Sequence, residues 1–410
     1  MSTATSLGST PSSHRPLIRD ALPSAARWAV KLLERVAVGA LRVHFPNGQV
    51  ATFGHDDVMI DLHVHDWSVF GRVLKSGDIG FAEGWIAGEW STSDLPGLIE
   101  LFARNRAALD RIVYGSWVGR LSYAINHWRN RNTRKGSRRN IHAHYDIGNS
   151  FYRLWLDPSM TYSSALFDGD TSRSLEAGQR AKNERVLRMV LGDQRCGEVL
   201  EVGCGWGGFA EAVALRGHRV RGITLSSEQL NWARERIARA GLSERASFEL
   251  VDYRDVKGQY DAVVSIEMIE AVGEAWWPTY FQALHDRLKP GGRACIQSIL
   301  MADELFDRYR RSTDFIQQYV FPGGMLPSKS RFIAEAQKAG FELVDVHTFG
   351  LDYAETLARW RAAFHARLPE VRALGFDDAF IRTWDFYLAY CEAGFSSGNT
   401  DVAHFTLQRR

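Results

Sequence analysis

The segment at residues 199–211, VLEVGCGWGGFAE, limits most strongly what this chain can fold into. Apolar residues lead to an acidic residue at Glu201, four glycines follow within residues 203–208, and helix-forming residues continue over 209–214. This pattern predicts a strand, a tight glycine turn and a helix. Glycines adopt backbone angles closed to other residues and let a ligand approach the main chain. The free N–H groups that open the helix would face that ligand.

Two ligand classes fit such a turn. Gly203, Gly205 and Gly208 match the G-x-G-x-x-G pattern of dinucleotide-binding folds, which is weak when taken alone. Glu201 lies inside the motif and no acidic residue ends the next predicted strand, 220–224, which argues against a nicotinamide dehydrogenase. The E-x-G-x-G-x-G spacing resembles the first motif of class I methyltransferases, which bind S-adenosylmethionine (SAM). That resemblance implies that Glu201 helps to hold the cationic methionine part of SAM, with Gly203 and Gly205 shaping the loop.

Length and composition narrow the class of protein. A chain of 410 residues suggests two domains. A net charge of +2 is too small for the overall charge of the protein to attract a partner, so local charge clusters matter more. The four cysteines have no CxxC or Cys/His spacing, so neither a disulfide framework nor a zinc site is indicated, and a reducing cytoplasm is expected. No run of about 18 apolar residues occurs, so any membrane contact is expected to be peripheral.

The N-terminal part is predicted to hold a disordered tail over residues 1–22 and a small α+β domain over 23–120. Residues 25–42 have helical apolar spacing, LRVHF and QVATFG flank a PNG turn as a hairpin, and VMIDLHVHD follows as a strand. Asp61, His63 and His65 alternate along one face of that strand. Without a distant partner they indicate a solvated strand face more than a metal site, and no metal site is predicted.

Residues 121–140 are predicted to be a basic linker. It contains six basic side chains and no acidic one between 128 and 140, namely Arg129, Arg131, Arg134, Lys135, Arg138 and Arg139. A solvated linker and attraction to anionic phospholipid headgroups are the two main interpretations. Nucleic-acid binding is not expected, because no recognition motif accompanies the basic residues.

A series of motifs between residues 144 and 328 carries a more specific resemblance, which covers about residues 50–405. They occur in the order HYDIGN, LDPSMTYS, EVGCGWGG, GITLSSEQ, YRD, MIEAVG, LKPGG and YVFPGGMLPS. By this series the chain is identified as a member of the cyclopropane fatty acid synthase family. The resemblance implies an α/β fold, namely a class I SAM-dependent methyltransferase with a Rossmann-like seven-stranded sheet over residues 141–410. An acyl-binding insertion would span 301–330.

The resemblance also assigns the SAM site. Tyr162 and Ser163 match positions over the methionine end, where an aromatic ring attracts a sulfonium. Thr224 and Gln229 match the ribose and adenine region, and Tyr253 matches an aromatic residue beside the adenine ring.

The chemistry implied by the resemblance is attack of an acyl cis double bond on the SAM methyl group, followed by proton loss from a carbocation. A bound bicarbonate would be the base. Its holders map to Glu270 and Tyr353, with backbone help from Ile299. The usual cysteine is Ser164, the usual histidine is Gln297, and the histidine that commonly follows the glutamate is Ala271. Serine and glutamine still donate hydrogen bonds to an anion.

These replacements leave the product open. The first expectation is a cyclopropane fatty acid, and the alternative is a methylene or methyl-branched fatty acid. A non-catalytic lipid- or SAM-binding protein and a small-molecule methyltransferase are further alternatives. Phe315, Tyr319 and Phe321 are predicted either to line a lipid channel or to pack in the core. The resemblance implies a cytoplasmic enzyme acting peripherally on the inner face of a phospholipid bilayer, with homodimerisation open and no nucleic-acid partner.

Overall fold

The structure is a computed structural model that describes residues 18–56, 58–109 and 147–410. The chain divides into two compact units, and the boundary lies within residues 110–146. Most of the predicted N-terminal tail and all of the predicted basic linker lie outside the described residues. The end of that tail is described, and a short 3₁₀ helix spans Arg19–Ala21.

The N-terminal unit is a four-stranded sheet with helices. Its helices are α1 (Ser24–Leu33), α2 (Ser68–Ser76), α3 (Asp78–Ala87) and α4 (Leu95–Arg104), and its strands are β1 (Ala40–His44), β2 (Val50–Gly54), β3 (Met59–Val64) and β4 (Trp90–Ser91). The strand order is β2-β1-β3-β4. β1 and β2 pair antiparallel, which confirms the predicted hairpin. The predicted helix over 25–42 is too long, because α1 ends at Leu33 and Leu41 is a buried residue of β1.

The polar residues of β3 have a partner that the sequence did not indicate. β1 runs parallel to β3 and places His44 opposite His63. The His44 Nε2 lies 2.6 Å from Oδ1 of Asp61, and the two imidazole rings stack at 4.2 Å. Ligand atoms of His44, Asp61 and His63 all lie within 4.8 Å of one another. Arg42 also pairs with Asp61, at 2.9 Å, so this carboxylate is already neutralised by the protein.

The C-terminal unit contains the remaining described elements. Its strands are β5 (Glu198–Val202), β6 (Arg219–Thr224), β7 (Ala246–Leu250), β8 (Tyr260–Ile266), β9 (Leu288–Met301), β10 (Phe341–Thr348) and β11 (Thr400–Arg409). Its α-helices are α5 (Asn149–Trp155), α6 (Leu175–Leu191), α7 (Gly208–Leu215), α8 (Ser227–Arg239), α9 (Trp277–Arg287), α10 (Asp303–Tyr309), α11 (Phe315–Tyr319), α12 (Lys329–Lys338), α13 (Gly350–Ala366), α14 (Leu368–Ala373) and α15 (Asp378–Ser396).

The seven strands form one sheet in the order β10-β11-β9-β8-β5-β6-β7. β7, β6, β5, β8 and β9 are parallel, and β11 runs antiparallel between β9 and β10. The predicted α/β fold with a seven-stranded sheet is therefore confirmed. In such a sheet the carboxyl ends of neighbouring parallel strands form the ligand-binding edge.

Both faces of the sheet are covered. One apolar core contains Trp277 and Phe281 of α9 and Phe332 of α12. The other contains Val186 of α6, Phe209 of α7 and neighbouring residues of α8. Continuous apolar strands such as β8, which is buried from Ala262 to Ser265, are typical of a sheet covered on both sides.

The predicted insertion at 301–330 contains α10 and α11. Phe315 is fully buried and packs against Phe386 of α15, at 4.9 Å between ring centroids, so it belongs to the core. Tyr319 is 42% exposed and stacks on Phe315. Phe321 lies against Tyr387 with centroids 6.1 Å apart. Across the described ranges, no helix is both long enough and apolar enough to cross a membrane.

Candidate active site

The predicted glycine turn lies at the carboxyl edge of the sheet, between β5 and α7. Gly203, Gly205 and Gly207 have φ values of 86°, 50° and 82°, which favour glycine. Both Gly203 and Cys204 donate backbone hydrogen bonds to the Ile223 carbonyl of β6, which holds the turn against the neighbouring strand. A Cβ on Gly203 would lie 3.0 Å from Cγ of Met268, so a side chain here would be tightly packed and would require Met268 to shift.

A single pocket opens beside this turn and contains every residue that the resemblance assigned to SAM. Those residues are Tyr162, Ser163, Glu201, Gly203, Gly205, Thr224, Gln229 and Tyr253. The pocket also contains Lys182, Glu267 and Ala271, of which the sequence reasoning had considered only Ala271. Their contacts define two regions of the site.

The first region is a buried acid and base at the end of β5. Lys182 of α6 is fully buried and donates from Nζ to the Ser163 hydroxyl at 2.6 Å and to Oε1 of Gln179 at 2.7 Å. Burial lowers the pKa of Lys182 to about 8 and raises that of Glu201 well above its usual range, although the Lys182 charge opposes the latter shift. Oε2 of Glu201 is buried and has no partner among the described residues. An unsatisfied carboxylate oxygen in a pocket fits a cationic ligand such as the sulfonium or ammonium of SAM.

Other pocket residues are held in place by contacts with the protein. The Thr224 hydroxyl donates to Oε1 of Gln229 at 2.9 Å, and Ser226 caps α8. The Tyr162 hydroxyl lies 2.6 Å from that of Tyr387. Tyr253 packs edge-on against Tyr280 at 5.6 Å. These contacts fix hydroxyl, amide and aromatic groups around the pocket before a ligand binds.

The second region is centred on Glu267, which directly follows β8. Its φ of 50° is unusual for a residue other than glycine. Three groups donate to its carboxylate. Oε1 accepts from the Ser164 backbone N–H at 3.0 Å and from Nε2 of Gln297 at 2.6 Å, and Oε2 accepts from the Tyr353 hydroxyl at 2.7 Å. Thus three of the five residues mapped to bicarbonate binding surround a carboxylate of the protein itself.

The other two mapped residues form a separate contact. Oε1 of Glu270 accepts from the Ile299 backbone N–H at 2.6 Å, and its buried Oε2 has no partner in the described part of the chain. Burial, followed by the nearby Glu267 charge, raises the pKa of Glu270 to about 8. The five residues therefore lie around two carboxyl groups that interact with each other.

The Ser164 hydroxyl was expected to donate to a bound anion, but in the structure it is directed elsewhere. Its hydroxyl donates to the Ala165 carbonyl at 2.8 Å, and only its backbone N–H reaches Glu267. Any residue other than proline at position 164 leaves that backbone donor in place. The Gln297 amide donates to the Glu267 carboxylate, a group of the protein itself.

His404 orients the Gln297 amide and was missed in the sequence. It lies opposite Gln297 in the β9–β11 pairing, and its Nε2 is 2.8 Å from Oε1 of Gln297. Burial lowers the pKa of His404 well below its usual range, so the ring is neutral. Since Oε1 can only accept, the His404 Nε2 carries the proton and the amide NH₂ is directed at Glu267.

These donors do not fit a bound bicarbonate. The Ser164 N–H, the Gln297 amide and the Tyr353 hydroxyl already donate to Glu267 at 2.6–3.0 Å. A bicarbonate at this point would compete with Glu267 for the same donors and place a second anion beside it, and like charges at short range are unfavourable.

Comparison with known proteins identifies the family. The family model for mycolic acid cyclopropane synthetase matches residues 132–405. The tuberculostearic acid methyltransferase UfaA1 of Mycobacterium tuberculosis is 41% identical over 94% of this chain and 92% of its own length. The cyclopropane-fatty-acyl-phospholipid synthase of Escherichia coli K12 is 34% identical over 85% and 88%, respectively. A crystal structure of mycolic acid cyclopropane synthase CmaA1 with SAH and CTAB has a TM-score of 0.62 and 32% identity, covering 66% of this chain and 98% of that one.

Proposed function

The chain belongs to the mycolic acid cyclopropane synthetase family of SAM-dependent methyltransferases, and on this premise we propose that it methylates the cis double bond of unsaturated fatty acyl chains. The observation that carries this proposal is a pocket with an unsatisfied Glu201 oxygen in one region and a hydrogen-bonded Glu267 carboxylate in the other. One group suits a cation, and the other suits removal of a proton. A methyltransferase acting on an alkene requires both.

The SAM-binding role is proposed for the eight pocket residues named above. When bound, SAM supplies an electrophilic methyl group. Glu201 would stabilise its positive charge, and Thr224, Gln229 and Tyr253 would contact its neutral sugar and base. The Tyr162 ring would lie beside the sulfonium, which an aromatic ring attracts by cation–π interaction.

The proposed product is a methylene-branched acyl chain, which a reductase could convert into a methyl branch. Two observations support it over the cyclopropane. Ser164, Ala271 and Gln297 replace residues that the resemblance associates with ring closure, and UfaA1 is named for methyl transfer to a fatty acid. In this reaction the double bond attacks the methyl carbon while the sulfur–carbon bond breaks. A hydride then shifts to the cationic carbon, and proton loss from the new methyl group leaves a terminal alkene.

We further propose that the acyl chains are those of membrane phospholipids and that the enzyme acts peripherally on the cytoplasmic face of the bilayer. The E. coli relative is named for an acyl phospholipid. The basic sequence at 128–140 is the type of segment that anionic headgroups attract.

The test is to incubate the purified protein with SAM and vesicles of cis-monounsaturated phospholipid, then examine the fatty acid methyl esters by mass spectrometry and proton NMR. We expect a gain of one CH₂ together with vinylidene proton signals. Vesicles of saturated phospholipid, and reactions with SAH in place of SAM, should show no gain. High-field cyclopropane signals would contradict the methylene product, and no gain from unsaturated lipid would contradict methyl transfer to phospholipid.

A further inference from the structure

The second carboxylate of the pocket, Glu267, has the geometry of a built-in base. It is half-buried and faces the pocket, so a substrate carbon can reach it, whereas Ser164, Gln297 and Tyr353 contact it from the protein side and are buried. Three short hydrogen bonds from fixed donors hold both of its oxygens. Such donors stabilise the ionised form of a carboxyl group and fix its direction.

Comparison with the neighbouring Glu270 indicates which of the two carboxyl groups is ionised. Glu267 accepts three hydrogen bonds that hold both of its oxygens, whereas Oε1 of Glu270 accepts from the Ile299 N–H and its Oε2 has no partner among the described residues. Burial and the Glu267 charge raise the pKa of Glu270 to about 8. Burial raises the pKa of Glu267 as well, but its three hydrogen-bond donors and the Lys182 charge oppose that rise. When two adjacent carboxyls differ in this way, the better hydrogen-bonded one carries the charge and the other holds the proton.

The backbone at Glu267 is a second, independent observation. A φ of 50° for a glutamate costs on the order of 1 kcal/mol or more and persists only where surrounding contacts enforce it. Glu267 is held on both sides, because its backbone N–H donates to the Gln297 carbonyl at 2.9 Å and its carboxylate accepts three hydrogen bonds. A strained backbone that directs a charged group into a pocket is typical of functional sites.

We propose that the Glu267 carboxylate itself accepts the proton from the methylated carbocation, so that the enzyme needs no bicarbonate. This inference rests on the proposed methyl transfer to an alkene. In the step, a C–H bond of the new methyl group breaks, its electron pair forms the carbon–carbon double bond, and the proton goes to an oxygen of Glu267. The neutral carboxyl then returns the proton to water after product release. Ring closure would use the same base, with the electron pair forming the third side of the ring.

The first arm of the test compares wild-type protein in CO₂-depleted buffer with and without added bicarbonate, with lipid product and SAH measured separately. We expect equal rates. A marked loss of rate on depletion, restored by bicarbonate, would show that a bound ion is the base and would overturn the inference while leaving methyl transfer intact. Absence of any lipid product from wild type would instead refute the proposed function on which the inference rests.

The second arm uses two variants. Glu267→Gln keeps the shape but cannot accept a proton, and we expect it to lose about 10²-fold or more of alkene product, the usual effect of removing a general base. Its remaining turnover should divert to an acyl chain that has gained a methyl group and a hydroxyl, because water then captures the cation. Calorimetric SAM binding should be unchanged, which separates this result from misfolding. Alkene formation within about threefold of wild type would overturn the inference.

Glu267→Gly is the matched variant for the backbone. Glycine adopts a φ of 50° without strain, which offsets part of the stability lost with the three hydrogen bonds, and SAM binding measured by calorimetry shows whether the site is still folded. We expect it to be as inactive as Glu267→Gln in CO₂-depleted buffer. Wild-type alkene formation by this variant under the same conditions would also overturn the inference.

Discussion

At the residue scale, the active site depends on two glutamates that end neighbouring parallel strands. Glu201 lies in β5 and Glu267 follows β8, and these strands pair in the sheet. Each carboxylate has a different environment. Oε2 of Glu201 has no partner among the described residues, whereas three hydrogen bonds hold Glu267. In the proposed mechanism, one edge of the sheet thus provides a group for a cation and a group for a proton.

Glu270 should make stability depend on pH. The folded protein keeps its proton up to about pH 8, whereas the ordinary pKa of a glutamate is 4.5. Unfolding therefore releases a proton between these values, and the free energy of unfolding falls as pH rises through the window, by about 1.4 kcal/mol per unit at most. Glu270→Gln cannot release a proton, so its melting temperature should exceed that of wild type at pH 8 and approach it near pH 5.

Differential scanning calorimetry across this pH range checks the prediction. Glu304→Gln, at an exposed position of α10, is the control and should follow wild type at every pH. Parallel pH profiles for Glu270→Gln and wild type would mean that Glu270 is ionised in the folded protein.

At the element scale, α15 contacts two segments of the chain that carry residues of the candidate site. It packs against α13, which carries Tyr353, and its own Tyr387 lies 2.6 Å from the Tyr162 hydroxyl. The helix begins with an N-cap at Asp377, whose carboxylate accepts from the Phe380 N–H at 2.8 Å. The N-cap of α15 therefore helps to stabilise the helix whose Tyr387 contacts Tyr162 in the proposed SAM site.

Asp377→Ala should destabilise the C-terminal unit by about 1 kcal/mol, because a backbone donor of α15 loses its side-chain partner. This corresponds to a fall in melting temperature of about 2–4 °C for a unit of this size. Asp377→Asn is the matched control, since asparagine caps as well as aspartate. Thermal denaturation followed by circular dichroism measures both, and equal losses in the two variants would mean that charge, and not capping, is the stabilising contribution.

Sequence patterns predicted the sheet because it depends on local signals, and the residues that the resemblance assigned to SAM line one pocket. The glycine turn, the apolar strands and the acidic residue of β5 are each contained within a few positions. Glu267 was missed because its donors come from positions 164, 297 and 353 and converge only in the folded protein. The sequence did contain a signal for Glu267. It follows β8 as Glu201 lies near the end of β5, and the carboxyl ends of adjacent parallel strands meet at one edge of the sheet. The predicted length of α1 was wrong because the helical spacing of apolar residues over 25–42 extends into β1, whose buried residues are also apolar.

At the scale of the whole molecule, the proposed bilayer contact rests on charge. The six basic residues between 129 and 139 lie outside the described residues, so the expectation comes from sequence and electrostatics. Each basic residue near an anionic surface contributes about 1 kcal/mol, and the contribution weakens as salt shortens the range of the field.

Replacing Arg129, Arg131, Arg134, Lys135, Arg138 and Arg139 with glutamine should weaken binding to anionic vesicles by at least tenfold at low salt, with a smaller difference at high salt. Vesicle sedimentation measures the bound fraction. A variant with lysine at the five arginine positions retains the charge and should bind as wild type does. Equal binding by the glutamine variant at low salt would remove this segment from the membrane interface.

The position of β11 has a consequence for how activity arises during folding. This strand inserts antiparallel between β9 and β10, and its His404 orients the amide that holds Glu267. Residues 147–301 can pair their parallel strands earlier, yet the proton acceptor stays unoriented until the chain through residue 409 has docked. Pairing of distant segments is the slow part of β-sheet folding. A chain caught midway would therefore have the glycine turn of the proposed SAM site but no oriented proton acceptor, so any cation formed on it would be left to react with water.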